Sequence, residues 1–219
     1  MNDTLTMLRK EWRCFIGSDR GIFVLYSVLV LSWSLMLATP DTTGVAAGPI
    51  WLVFFSVVIS ANFSNTVFIA ERVNGILEIL LTSGLSRGSI LYGKMAFVAG
   101  MSIIIGLFCA LIAPLWRLLI YRETGWALNP DSLALYVSAV FMNTGCSAYL
   151  SVRMGNPRLL HLANLLLLAV LMAAQAVTAS YFALPSWALS LTLLLIGTGA
   201  TVAAQRLYES EKILQPVVF

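Results

Sequence analysis

Charged side chains are scarce in this sequence. Asp, Glu, Lys and Arg make up 11% of its 219 residues, whereas soluble domains carry about 25%. Hydrophobic residues reach 59%, above the roughly 45–50% of an average soluble protein. No stretch between the apolar runs is long enough to build a soluble core. The composition therefore predicts an all-α integral membrane protein, with residues 1–219 forming a single transmembrane domain.

Cysteine and histidine are rare as well. Cys14, Cys109 and Cys146 lie far apart and show neither paired nor metal-ligand spacing. His161 is the single histidine and has no companion ligand. We therefore expect no disulfide framework, no metal site and no cofactor in this chain. The net charge of +3 does not indicate nucleic-acid binding, and we expect none.

Fixed charges are missing from the middle of the apolar segments. Proton-coupled transporters and selective ion channels usually need carboxylates or charged rings there, so the sequence argues against both. Enzymes that act on lipids normally present clustered His, Asp, Glu or Ser near one interface. The single histidine and the scattered carboxylates of this chain do not converge. We expect that the chain itself is not an enzyme and has no catalytic residues.

Six apolar segments approach the length of about 20 residues that a membrane-spanning helix needs. They cover residues 21–37, 49–70, 94–118, 133–152, 159–182 and 184–205. Residues 1–20 carry apolar side chains at helical spacing, which predicts a helix in the membrane interface. Its apolar side is expected in lipid and its cations near the headgroups, and the residues that mark it are Arg9, Lys10, Trp12 and Arg13.

The positions of the basic residues predict the orientation of the chain. Of 13 Lys and Arg residues, eleven lie in the amino-terminal segment, two of the connections and the tail, residues 206–219. Only Arg117 and Arg122 fall on the opposite side. By the positive-inside rule both termini are cytoplasmic. Residues 71–93 are then a cytoplasmic connection, and they are the most suitable surface for docking a soluble partner.

Polar residues inside the second and fifth segments recur at helical spacing. The set consists of Asn62, Asn65, His161, Asn164 and Gln175. One interpretation is that the two helices line a translocation pathway. The alternative is that these side chains hydrogen-bond between helices and hold the bundle together. The pattern alone leaves both open.

The stretch GSILYGKM, residues 88–95, nearly matches the nucleotide-binding loop G-x-x-x-x-G-K-[ST]. Met95 stands where that loop needs Ser or Thr for magnesium, and the following apolar segment leaves no room for an α/β sheet. We therefore expect no nucleotide bound by this chain. In this interpretation Gly88 and Gly93 ease a turn, and Lys94 anchors a helix end at the interface. Ser86 is expected to cap the helix that runs into the third span.

The run from Phe68 to Lys94, FIAERVNGILEILLTSGLSRGSILYGK, resembles the signature of type-2 ATP-binding-cassette (ABC) permeases. It contains a Glu-Arg pair, a Gly, Leu-Glu, a Leu pair, a small-polar turn, Ser-Arg, and Gly-Lys opening the third span. The tail RLYESEKIL is similar to an ending common in that family. The resemblance implies the membrane subunit of an exporter, in the inner membrane of a prokaryote.

The resemblance also implies partners. They are a second copy or a sibling permease, and cytoplasmic ATPase subunits that bind ATP and Mg. The amino-terminal interfacial helix and the coupling helix between spans two and three would contact the ATPase. Coupling roles carry over to Glu71, Arg72, Gly75, Leu77, Glu78, Arg87 and Lys94.

Three alternatives remain open from the sequence. A haem-exporter permease of cytochrome maturation has a similar length and span count, although the spacing from Glu71-Arg72 to Gly75 and Leu77-Glu78 follows the general exporter pattern more closely. A membrane assembly factor without transport activity has the same composition, since a coupling surface also suits a scaffold. A lipid enzyme is the third, and it lacks the expected cluster of reactive side chains.

Overall fold

The computed structural model describes residues 3–17, 20–39, 49–69, 80, 82, 84–122, 130–154, 157–181 and 186–209. These residues form seven α-helices and no strand. The helices are α1 (Asp3–Ile16), α2 (Arg20–Ala38), α3 (Pro49–Ser64), α4 (Arg87–Trp116), α5 (Pro130–Arg153), α6 (Pro157–Tyr181) and α7 (Ser186–Glu209). Two π-helical segments, Asn65–Ile69 and Arg117–Tyr121, extend α3 and α4. The predicted all-α class is confirmed for this part of the chain.

Helix starts follow simple stereochemical signals. Pro49, Pro130 and Pro157 open α3, α5 and α6, where the missing proline N–H costs nothing and the fixed φ favours the helix. Ser86 caps α4, and its Oγ accepts a hydrogen bond from the backbone N–H of Ser89 at 3.2 Å. The cap predicted at Ser86 is therefore confirmed.

Each of the six predicted segments coincides with one helix, α2 to α7, although several boundaries differ. Within the described residues, three helices are long and apolar enough to cross a membrane. They are Arg87–Tyr121, Pro130–Arg153 and Trp187–Tyr208. Shorter apolar helical stretches cover Phe23–Ala38, Leu52–Phe68 and His161–Ala174.

The start of α4 differs most from the prediction. The helix begins at Arg87, seven residues before Lys94. Gly88 and Gly93 therefore lie inside a helix, and the prediction that they ease a turn is wrong. Gly93 instead allows α1 to approach α4, because a Cβ at this position would lie 2.6 Å from the Cβ of Met7. Position 93 therefore needs a glycine because α1 and α4 pack closely there.

Helices α3, α5 and α7 form the tightest part of the bundle. A Cβ on Gly145 of α5 would lie 2.7 Å from the carbonyl oxygen of Gly197 and 2.9 Å from Oγ1 of Thr201, both on α7. Small residues at such a crossing let two backbones touch, as is common between membrane helices. Leu135 and Met142 of α5 pack with Val53 and Val57 of α3 and with Leu193 of α7 in one buried cluster.

Helices α2 and α4 run side by side in the same direction. Cys109 Sγ donates to the Val30 carbonyl at 3.8 Å, and Trp116 Nε1 donates to Ser34 Oγ at 2.9 Å. Arg117, the residue after Trp116, donates through Nε to the carbonyl of Ala38, one turn beyond Ser34 on α2, at 3.3 Å. These successive contacts fix the register of the pair, since residues later in α2 meet residues later in α4.

Candidate functional site

Four polar residues predicted to line a pathway lie around one notch. Asn62 and Asn65, at the end of α3 and the start of its π-helical extension, face His161 and Asn164 on α6. The apolar part of the wall includes Ala61 and Leu165, among others. The structure therefore brings these four side chains together.

The hydrogen bonds of the notch are few and uneven. Asn65 Nδ2 lies 3.4 Å from His161 Nδ1. The contact joins the amide of Asn65 to the imidazole ring of His161, and the tautomer of the ring decides which group donates. Asn62 Nδ2 donates back to the Val58 carbonyl of its own helix at 3.1 Å. Only the Asn65–His161 contact joins α3 to α6 through this set, and it is long for a hydrogen bond.

Two atoms of the notch lack a partner among the described residues. They are Asn65 Oδ1 and Asn164 Nδ2. The other amide atom of Asn164 is satisfied, because Oδ1 accepts from Ser147 Oγ of α5 at 3.1 Å. An unpaired buried polar atom costs about 1–3 kcal/mol. The notch therefore holds more polar atoms than the contact between its helices uses. Asn65 Oδ1 and Asn164 Nδ2 can bind water or a polar group.

The size of the notch limits what it can hold. Its volume is about 60 Å³, whereas pockets for drug-sized molecules measure roughly 300–1,000 Å³. A notch of 60 Å³ admits a few water molecules but no larger cargo in this conformation.

The π-helical segment next to the notch is held by Lys94. Its Nζ donates to the Val67 carbonyl at 2.9 Å and lies 5.8 Å from the centre of the Phe68 ring. The Lys94 side chain is fully buried. The prediction that Lys94 anchors a helix end at the interface is therefore wrong. π-helical turns are frequent at functional sites, and this one lies directly between the notch and the start of α4.

Asn143 is a polar residue that the sequence interpretation missed. It is fully buried on α5, and its Nδ2 donates to Ser60 Oγ at 2.7 Å on α3. Its Oδ1 has no partner among the described residues. The sequence does contain a signal for Asn143: like Asn164, it is an amide inside an otherwise apolar segment. The side chain joins α5 to α3 beside the notch, since its Nδ2 also lies 3.4 Å from the carbonyl oxygen of Val57, a residue of the notch wall.

Gln175 is the fifth residue predicted to line the pathway. It lies on α6, fourteen residues after His161, which corresponds to about 21 Å along a helix. Its side chain lies outside the described part of the chain. The prediction that it lines the same pathway therefore stays a prediction.

Most of the predicted coupling residues cannot be placed. Glu71, Arg72, Gly75, Leu77 and Glu78 all lie outside the described residues. Arg87 is the first residue of α4, next to the Ser86 cap. Their coupling roles, and that of Lys94, stay predictions.

The helix predicted in residues 1–20 is present as α1, and its location in the membrane interface stays a prediction. Arg9, Trp12 and Arg13 are exposed, whereas Lys10 is half-buried and binds Glu11 at 3.1 Å. Met7 and Glu11 form the buried side of the helix. The Glu11 carboxylate also has a coulombic interaction with Lys94. The helix therefore rests on α4 through a side that includes Met7, Glu11 and Phe15, whose ring meets that of Phe97 on α4, and most of its cations point outward.

Metal ligands do not cluster in the described residues, where no group of three or more His, Cys, Asp or Glu side chains could hold an ion. No protein-family model matches the chain, and no curated protein matches it in sequence.

Proposed function

We propose that this chain is the membrane-spanning permease subunit of an ATP-driven exporter of the type-2 ABC kind. Separate cytoplasmic ATPase subunits would bind ATP and Mg, and a second permease chain would complete the pathway. ATP-driven closure of the ATPases would push the coupling helices together and rearrange the two six-helix halves. The chain would convert motion, and the chemistry would belong to its partners.

The observation that carries the proposal is the direction of the helices. Contacts at one end of the bundle join Lys94 to Val67, Asn65 to His161, and Tyr92 to Gln205, the last at 2.6 Å. The sequence assigns these helix ends to the cytoplasmic side. Helices α2 and α4 run in the same direction, as expected if both cross the membrane outward and α3 returns between them. These contacts support six alternating spans with both termini in the cytoplasm.

The polar notch supports a pathway between α3 and α6. Its residues come from the second and fifth predicted spans, and two of their polar atoms have no partner among the described residues. A volume of about 60 Å³ is too small for cargo, so transport requires the helices to separate or a second chain to widen the path. This agrees with a subunit that works by rearrangement.

The test is affinity purification of the full chain from native membranes in mild detergent. We expect a P-loop ATPase to copurify and Glu78→Arg to release it. Asp131→Arg is the matched control, since Asp131 is an exposed acid at the start of α5, on the predicted outer side. Release by both variants, or no ATPase in wild-type preparations, contradicts the proposal and favours a membrane assembly factor.

A further inference from the structure

A large groove runs between α1 and α4. Its volume is about 540 Å³, and its walls include Arg9, Trp12 and Arg13 on α1 and Ala96, Gly100 and Ile104 on α4. The two sets differ in chemistry. The α1 wall carries two guanidinium groups and an indole, and the α4 wall is apolar.

The α1 wall is positively charged without compensation in the described part of the chain. Arg9 and Arg13 are one helical turn apart, so they share a face. The only ion pair found among the described side chains joins Lys10 to Glu11. Glu11 is buried on the inner side of α1. The groove therefore presents two neighbouring guanidinium groups suited to a phosphate.

The α4 wall continues as an apolar track. Ala96, Gly100 and Ile104 repeat every four residues, and the exposed side chains Phe108, Leu111 and Leu115 follow on the same helix. From Ala96 to Leu115 the track is about 28 Å long. One leaflet of a bilayer has a hydrocarbon thickness of roughly 15 Å. The track is long enough for a complete acyl chain.

We propose that this groove binds one anionic phospholipid of the cytoplasmic leaflet. Its phosphate contacts Arg9 and Arg13, Trp12 lies at the level of the headgroup, and one acyl chain follows α4. A soluble phosphate would use the arginines but not the apolar wall, and a neutral lipid would leave the arginines without an anion. The proposal requires the chain to lie in a membrane, but it requires neither transport nor an ATPase.

Native mass spectrometry of the full purified chain from mixed vesicles of phosphatidylglycerol and phosphatidylcholine tests the proposal. Wild-type protein is expected to retain one phosphatidylglycerol. Removing a basic residue near a membrane surface weakens anionic lipid binding about fivefold, so Arg9→Gln/Arg13→Gln should lower retention about 25-fold. Arg206→Gln, at an exposed arginine near the end of α7, is the control.

A second variant tests the apolar wall. A Cβ at Gly100 meets no atom within 4 Å, and the same holds for Gly199 on α7. Gly100→Leu is therefore expected to fold, to fill the groove and to lower retention, whereas Gly199→Leu keeps it. Circular dichroism checks that all variants fold.

Three results would overturn the proposal. Equal retention of the two lipids means that the groove does not select an anion. Loss of binding in the arginine variant but not in Gly100→Leu, with competition by glycerol phosphate, means that only a free phosphate is recognised. Unchanged lipid retention in the arginine variant, together with loss of a copurifying ATPase, assigns the arginines to a protein contact. Because the lipid measurement uses the chain alone, its outcome is independent of the exporter proposal.

Discussion

Lys94 of α4 binds the backbone of the π-helical segment that follows α3, with its Nζ 2.9 Å from the Val67 carbonyl oxygen. The lysine is fully buried, and a coulombic interaction joins it to Glu11 of α1. A buried ammonium is costly unless hydrogen bonds and an opposite charge compensate it. One side chain therefore links α1, α3 and α4 at the same end of the bundle.

Lys94→Met is expected to destabilise the protein. The substitution keeps the apolar stem but removes the donor to the Val67 carbonyl and the cation near Glu11. Leaving a buried group without its partner costs about 1–3 kcal/mol, and we expect a loss of this size in the free energy of unfolding in detergent. Arg206→Met, at an exposed position, should change stability much less. An unchanged free energy of unfolding for Lys94→Met would contradict the structural role.

Glu11→Gln tests the charge interaction separately. In the wild-type background it removes the opposite charge from a buried lysine, so we expect a clear loss of unfolding free energy. In the Lys94→Met background the same substitution should cost less, because the lysine charge is already gone. A double-mutant cycle measures the difference. Equal costs in the two backgrounds would show that Glu11 and Lys94 do not interact.

Gly145→Ala is expected to separate α5 from α7. The added Cβ would lie 2.7 Å from the backbone oxygen of Gly197, and a backbone contact cannot be relieved by turning a side chain. Overpacking of this kind typically costs about 1–3 kcal/mol, to be read from the free energy of unfolding. Gly199→Ala is the matched control on α7, where the new Cβ meets no atom within 4 Å and the helix propensity improves. Equal stability of the two variants would contradict the close contact between α5 and α7 at Gly145.

Ser86→Ala should weaken the start of α4. It removes the acceptor for the Ser89 backbone N–H, and loss of such a cap costs about 1 kcal/mol. Ser86→Asp should retain stability, since aspartate is an equally good cap and its charge favours a helix start. Thr198→Ala is the control, because that hydroxyl binds a carbonyl within α7. Equal losses for Ser86→Ala and Ser86→Asp would argue against capping.

Much of the fold could be predicted because it depends on local pattern. Long apolar runs gave the positions of α2 to α7, and the serine before Arg87 gave the cap of α4. Polar spacing also singled out Asn65 and His161, each as a polar position on one face of its own helix. These features depend on residues close in sequence or on one face of a helix.

Features that depend on contacts between distant elements were not predictable in the same way. Lys94 looks like an interface anchor when only its neighbours in sequence are considered, and its true surroundings come from α1 and the segment after α3. Gly93 looks like a turn residue until Met7 of α1 is placed against it. Asn143 stands out in its apolar span, but its partner, Ser60, lies 83 residues away in the chain and could not be named from the pattern. The sequence pattern predicts each helix, but it does not predict which helices are in contact.

Thiol labelling distinguishes a pathway from simple helix packing at the notch. In a background with Cys14, Cys109 and Cys146 replaced by serine, we expect Asn65→Cys and His161→Cys to react with a membrane-impermeant methanethiosulfonate reagent. Reaction needs the thiolate, and therefore water, at the site. Leu166→Cys on α6 is the control, since Leu166 is 59% exposed but is expected to face lipid. It should react much more slowly. Similar slow rates at all three positions would mean that the notch is closed to water, and the polar residues would then serve only to hold α3 against α6.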